Sequence, residues 1–285
     1  MWSSLILLAA VVVGTWNGNW FPSGRAEHRA HPDVEAATIS ATAKMLARGL
    51  NRADPGGTND VILCLCEIRN PEVASNLVEQ IGRKGLRVVI VSRYRRRDRF
   101  DQQQNVIATT LPVAETHWSK WKPEKGVSPP RGYAYAAVVV DPATTAAVYA
   151  VHLKANYGAT TPMIRESNRA KRTAAIRQLV GIEATKREKD VRPVVIAGDM
   201  NADKWNGNFA DEELFDILEH AGFDNFLSLL PPSERGTHPS VRYGDSALDY
   251  VFSRGLTAVG IPFLVPADGL SDHNALFVTL RAPLE

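Results

Sequence analysis

The stretch 135-YAAVVVDPATTAAVYAVHLK-154 sets two apolar, β-branched runs one after the other with no helix between them. Runs of this kind, bounded by turn residues, read as buried strands. Comparable runs are AVVVGTW from Ala10, DVILCLCE from Asp60, LRVVIVS from Leu86, NVIATTLP from Asn105, PVVIAGDM from Pro193, ALDYVFS from Ala247 and ALFVTL from Ala275. Helical spacing separates some of them, over residues 33–50, 71–82, 163–187 and 211–222. In the first, Val34, Ala37, Ile39, Ala41, Met45, Leu46 and Leu50 mark one apolar face. Pro71 suits a first helical turn, and Gly222 closes the last helix. A strict β-α repeat would build a doubly wound sheet. This order predicts an α/β (α+β) chain with two mixed β-sheets packed face to face and helices on the outer faces.

The chain has 285 residues, enough for one large domain, with 33 Lys and Arg against 31 Asp and Glu. A formal charge of +2 does not define a nucleic-acid partner; where the charges lie matters more. Cys64 and Cys66 share a strand face two residues apart, which suits buried free thiols and not a disulfide. Leu5–Val13 is apolar but shorter than the ~20 residues of a membrane span, and no basic segment precedes it. Residues 1–10 are therefore expected to be an N-terminal lead or an export-signal remnant, with 11–285 a single domain. Location stays open, with secretion or the periplasm favoured over the cytoplasm. A monomer with no protein partner is expected. The Pro-rich segment 121-WKPEKGVSPPRGY-133 reads as a surface loop.

Polar residues of catalytic type recur at the strand ends: Asn17, Glu67, His152, Asp199 and Asn201 in GDMN, Asp249, and the pair Asp272–His273. Taken singly, each has an ordinary explanation. An Asp-x-Asn after a strand is commonly a turn, and a His in an apolar run is commonly a core residue. Asp249 within ALDYVF is less ordinary, because a carboxylate among apolar residues needs a partner. As a set they offer oxygen donors for a hard divalent ion and two imidazoles for proton transfer.

The order TWN, LCE, HLK, GDMN, LDYVF, SDH resembles the endonuclease/exonuclease/phosphatase superfamily, from about Val11 to Leu280. The resemblance implies a four-layer sandwich, cleavage of phosphate esters and a Mg²⁺ cofactor, with Mn²⁺ as the alternative. It implies that Glu67 is the principal metal ligand, with Asn17 and Asp272 close by. It places Asp199 and Asn201 at the phosphate and the attacking water. His273 becomes a base or phosphate contact steered by Asp249, and His152 stabilises charge or protonates the leaving oxygen. Every motif position is present, which argues against a non-catalytic binding module.

Loops choose the substrate within such a family. Arg69 stands two residues after Glu67, where the resemblance implies a minor-groove contact. The run 92-SRYRRRDRF-100 holds Arg93, Arg95, Arg96, Arg97 and Arg99 against Asp98, a local charge of +4. Tyr94 and Phe100 are expected to stack on sugars or bases, and the arginines to bind phosphates salt-sensitively. A DNA or RNA endonuclease is expected; the alternative is a sphingomyelinase-like or inositol-phosphate phosphatase-like enzyme. The loop 19-NWFPSGRAEHRAHP-32, with Trp20, Arg25, His28 and Arg29, is expected to shape access. Cys66 stands where the family usually has Gln.

Overall fold

The computed structural model describes residues 10–24, 30–96, 99–100, 102–141, 144–187, 192–241 and 244–282. Residues 1–9, and with them most of the expected lead, lie outside the described residues, as do Arg25, His28, Arg29 and Arg97. The chain runs β1 (Val11–Phe21), α1 (Pro32–Ala53), β2 (Asp60–Ile68), α2 (Pro71–Ile81) and β3 (Arg87–Val91). The short strands β4 (Arg95–Arg96) and β5 (Arg99–Phe100) pair with each other before β6 (Gln104–Thr109) and β7 (Val113–Lys120). There follow β8 (Gly132–Asp141), β9 (Thr144–His152), α3 (Pro162–Arg187), β10 (Val194–Asp199) and α4 (Leu214–His220). The last strands are β11 (Asp224–Asn225), β12 (Asp249–Arg254), β13 (Thr257–Ala258), β14 (Phe263–Val265) and β15 (Ala275–Arg281).

One sheet has the order β13-β15-β1-β2-β6-β3, with β14 also on β15; the other has the order β11-β12-β10-β9-β8-β7. Both are mixed, as expected: β1–β2 and β9–β10 are parallel, and their other neighbours antiparallel. Strand alternation divides the core. Val11 and Val13 of β1, with Ile62 and Cys64 of β2, face the second sheet and pack with Val148, Val195 and Val251. Val12, Trp16, Leu63 and Leu65 point the other way, against Leu46 and Leu50 of α1 and Leu77 of α2. Ile176 and Leu179 of α3 and Phe215 of α4 belong to the second sheet's core. The layers are thus helix, sheet, sheet, helix.

The helix expectations shift by a few residues at their ends. The buried stripe of α1 is Ile39, Ala43, Leu46 and Leu50, while Val34 is 55% exposed. Gly49 lies against the Phe277 ring, where a Cβ would clash. The fourth helix begins at Leu214 and not at 211, and the Glu212 carboxylate just before it is held by buried Arg172. Its C-cap is Ala221, and Gly222 follows in the left-handed region at φ 80°. The strand β7 escaped the sequence reading. It is the outer strand of its sheet, and its half-exposed VAETHWSK has too few apolar residues to register as a buried run. Among the described residues no helix is long and apolar enough to cross a membrane. Both cysteines are free and buried, as expected. Burial pushes the Cys64 thiol up to about 12. Cys66 donates its S–H to the Val151 carbonyl across the two sheets at 3.1 Å.

Gly198 is needed where it stands. Its φ is 141°, and a Cβ there would lie 1.9 Å from the Val151 carbonyl oxygen of β9. Gly198→Ala should therefore cost about 2–4 kcal/mol, from overpacking and backbone strain together. The check is a denaturant midpoint measured beside Gly181→Ala. Gly181 lies within α3 with open space at its Cβ, and that change should stabilise by about 0.5–1 kcal/mol.

Candidate active site

The site forms where strand ends of the two sheets meet. In the second sheet, strand register builds half of it. Asp199 pairs with Asp249 on β12 and with His152 on β9. Register partners share a face, so three titratable side chains stand in a row, all of them buried. The row faces the first sheet, because Asn17 Nδ2 donates to Asp199 Oδ2 at 2.8 Å.

The first sheet supplies Asn17 by plain alternation from Val11 and Val13, and Glu67 through a break in the pleat. Alternation along β2 would put Glu67 with Leu63 and Leu65 on the helix side. The backbone instead turns at Glu67, with φ 59°, inside a register slip between Leu65 and Ile68. This non-glycine φ costs of order 1–3 kcal/mol, and it brings the carboxylate to the sheet ends. There Glu67 Oε1 accepts from Asn17 Nδ2 at 3.2 Å and Oε2 from the Trp20 amide at 3.1 Å. The Asn17 Oδ1 accepts from the Asn19 amide at 2.9 Å, so its NH₂ faces the two carboxylates. Asn201 is the second left-handed site residue, with φ 51°. Its amide closes a turn on Asp199 Oδ1 at 2.7 Å, and its Nδ2 donates to Asp199 Oδ2 at 2.9 Å.

The Ser-Asp-His turn joins the halves. Ser271 Oγ donates to the Asn17 carbonyl at 2.7 Å and accepts from the His273 amide at 3.1 Å. Trp16 Nε1 donates to the His273 carbonyl at 3.0 Å. His273 Nδ1 lies 2.6 Å from Asp249 Oδ2, which leaves Nε2 facing the site. His152 Nε2 is 3.6 Å from Glu67 Oε1 and 3.7 Å from Asp199 Oδ2, and its buried Nδ1 has no partner among the described residues.

The electrostatics separate these groups. Burial pushes the Asp199 carboxyl up, and the Asp249 charge pushes further, to about 7, against the opposing pull of His273 and Asn17. Burial works against a charged His273, but the charge and hydrogen bond of Asp249 outweigh it and raise the imidazole to about 10. Burial, with Arg131, His273 and Lys154 nearby, drives His152 well below its ordinary value, so it is neutral. Burial also pushes Asp272 up, but His238 and His273 outweigh it and hold the carboxyl low.

The structure therefore brings together Asn17, Glu67, His152, Asp199, Asn201, Asp249 and His273, with Asp272 beside His273 at 3.9 Å. Two expectations are corrected. Arg69 does not reach outward. Both its terminal nitrogens bind Glu35 of α1 at 2.6 Å, and the pair is largely buried. Tyr94 is not available for stacking, since it is 2% exposed and packs edge-on against Trp118. Arg93 and Arg95 are exposed. They leave β3 at the same sheet end as Glu67, because β2 and β3 both run antiparallel to β6. Arg96 lies in β4, close by in the chain.

Three further residues were not singled out in the sequence. Thr237 Oγ1 accepts from the Leu248 and Asp249 amides, each at 2.9 Å, and fixes the start of β12. Arg131 donates to the carbonyls of His152 and Leu153 at 3.2 and 2.6 Å. His238 faces the His273 ring, with centroids 4.8 Å apart. The only local signal was Thr-His before a Pro, which also describes any turn.

Two mixed sheets face to face, with a Glu, an Asp-x-Asn turn and an Asp-steered His at one end, make an α/β sandwich with a site suited to phosphoester hydrolysis. The chain belongs to the Endonuclease/Exonuclease/phosphatase family, whose model matches residues 14–273. No curated protein matches it. Among solved structures it is similar to an endonuclease/exonuclease/phosphatase from Beutenbergia cavernae, at 15% identity and TM-score 0.66, covering 96% of this chain and 72% of that one. It is also similar to the human Nocturnin catalytic domain with bound sulfate, at 15% identity and TM-score 0.64, over 96% and 94%. A third is Sphingomyelinase C from Streptomyces griseocarneus, at 17% identity and TM-score 0.61, over 95% and 99%. These likenesses share the fold.

Proposed function

We propose that the chain is a divalent-metal-dependent phosphodiesterase acting on nucleic acid, DNA or RNA, as an endonuclease. The observation that carries the reading is the meeting of the Asp249–Asp199–His152 row with Asn17 and Glu67, with exposed Arg93 and Arg95 at the same end of the first sheet.

The donor set suits a hard cation. Glu67, Asp199 and Asp249 are buried carboxylates; His273 offsets Asp249, and among the described residues no Lys or Arg pairs with the other two. A buried excess of negative charge calls for a counter-ion, and carboxylate oxygens suit Mg²⁺ or Mn²⁺. Glu67 would hold the ion, with Asp272 near. Asn17 presents its NH₂ in this arrangement, so it would position the carboxylates unless its amide turned. When bound, the ion would polarise phosphoryl oxygens and offset their charge.

The side chains divide the remaining work. Asp199, raised toward neutrality, accepts the proton of the attacking water. Asn201 donates from its amide to keep that carboxylate oriented. His273 carries a proton at neutral pH, so it contacts the phosphate as a cation, and Asp249 fixes its ring. Neutral His152 is suited to donate a hydrogen bond as charge develops, and not to act as an imidazolium acid.

One observation favours a second reading, a phosphoesterase on phospholipid. Tyr157 and Met163, in and just after the loop that follows His152, are 96% and 78% exposed. A substrate panel decides between the readings: plasmid DNA, RNA, sphingomyelin, inositol phosphates and bis-nitrophenyl phosphate, each with Mg²⁺ at low salt. Nicking of plasmid or RNA that weakens steeply as salt rises supports the first. Turnover of sphingomyelin or inositol phosphates with nucleic acid left intact overturns it.

A further inference from the structure

His238, Asp272 and His273 gather three ligating atoms within 4.8 Å of one another, on the opposite side of His273 from Asp249. His238 Nε2 is 3.7 Å from Asp272 Oδ2, and His273 Nε2 is 3.9 Å from Asp272 Oδ1. Zinc bonds of about 2.0–2.2 Å hold ligand atoms roughly 3.3–3.5 Å apart, so the two imidazoles and one Asp272 oxygen, within 4.8 Å of one another, would draw together by roughly an ångström to close the set. The group already has the outer support of a metal site. Asp249 binds Nδ1 of His273 at 2.6 Å and commits Nε2 to the cluster. His238 is held by paired backbone hydrogen bonds with Ser246 at 2.8 and 3.0 Å. Asn274 donates to the Thr237 carbonyl at 2.7 Å, which ties the two turns together. Asp272 and His238 side chains are 47% and 27% exposed, so an ion has a route in.

Two imidazoles and one carboxylate differ in kind from the oxygen donors around Glu67. They favour zinc and its neighbours over Mg²⁺, which prefers oxygen and water. We propose that His238, Asp272 and His273 form a second cation site, selective for a zinc-type ion, whose filling switches off hydrolysis by displacing the Nε2 proton of His273 to solvent and occupying that nitrogen. The switching-off rests on the function proposed above; the binding does not.

The test uses the full chain, stripped with a chelator and held in excess Mg²⁺, titrated with Co²⁺ as the visible stand-in for zinc. One equivalent should give the strong absorption of low-coordinate cobalt and be displaced by Zn²⁺. His238→Ala and Asp272→Asn should each weaken that binding at least about tenfold, with far-UV circular dichroism unchanged, while Glu67→Gln leaves it intact. Zn²⁺ should inhibit turnover over the same concentration range, and His238→Ala should shift the inhibition by the same factor. Absent binding, binding indifferent to His238→Ala and Asp272→Asn, or binding lost in Glu67→Gln overturns the proposal. If cobalt follows the expected pattern but no phosphoester is cleaved, the site stands and the proposed function falls.

Discussion

Asp199→Asn should lower turnover by about 10²–10⁴-fold, the range lost when a general base is removed. The substitution keeps the shape and the contact with Asn17, but it deletes the group that accepts the water's proton. It also relieves a buried charge that stands beside Asp249. Its new NH₂ would face the Asn201 N–H that Oδ1 accepts from, which offsets part of that gain, so the variant should melt within a few degrees of the parent, which separates lost chemistry from lost folding. The pH profile gives a second check. With Asp199 near 7 in the ion-free site, activity should rise as pH climbs through that region and the carboxyl loses its proton. A bound cation favours the carboxylate, so added Mg²⁺ should move that limb to lower pH. Activity should fall again near pH 10, as His273 loses its proton. A profile of full amplitude in Asp199→Asn would assign the base elsewhere.

Glu67→Gln should weaken Mg²⁺ binding by on the order of 10²-fold or more, with activity falling in proportion at limiting metal. The amide keeps an oxygen for the Trp20 N–H but loses the charge that a divalent ion requires. Titrating activity with Mg²⁺ and measuring Mn²⁺ binding by calorimetry would report both terms. An unchanged half-saturating Mg²⁺ concentration would remove Glu67 from the metal site.

Much of this site could be read from the sequence because its residues stand at strand ends, where an apolar run stops at a polar group. Glu67, His152 and Asp199 fit that description, Asn17 marks where the apolar run of β1 stops although the strand continues to Phe21, and GDMN carries its own turn. The order of strands with and without intervening helices was enough to expect two mixed sheets. The failures have a common cause: a side chain's local pattern does not say what faces it across the fold. Arg69 reads alike whether solvated or paired, and its partner Glu35 lies 34 residues earlier on another element. Tyr94 sits among arginines, yet Trp118 and Asn105 enclose it. Thr237, Arg131 and His238 act through backbone and ring contacts with residues distant in sequence, as the Trp16 bond to His273 also shows. Glu67 was found by its place at a strand end, but the backbone turn that aims it departs from the alternation used to find the strand.

The proposed chemistry is tested most directly on end-labelled DNA and RNA oligomers of defined sequence, incubated with the full chain at low salt. Internal cuts are expected with Mg²⁺, none in EDTA, and none with His273→Ala. Oligomers that stay intact with Mg²⁺, or that are cut equally in EDTA, would contradict the account.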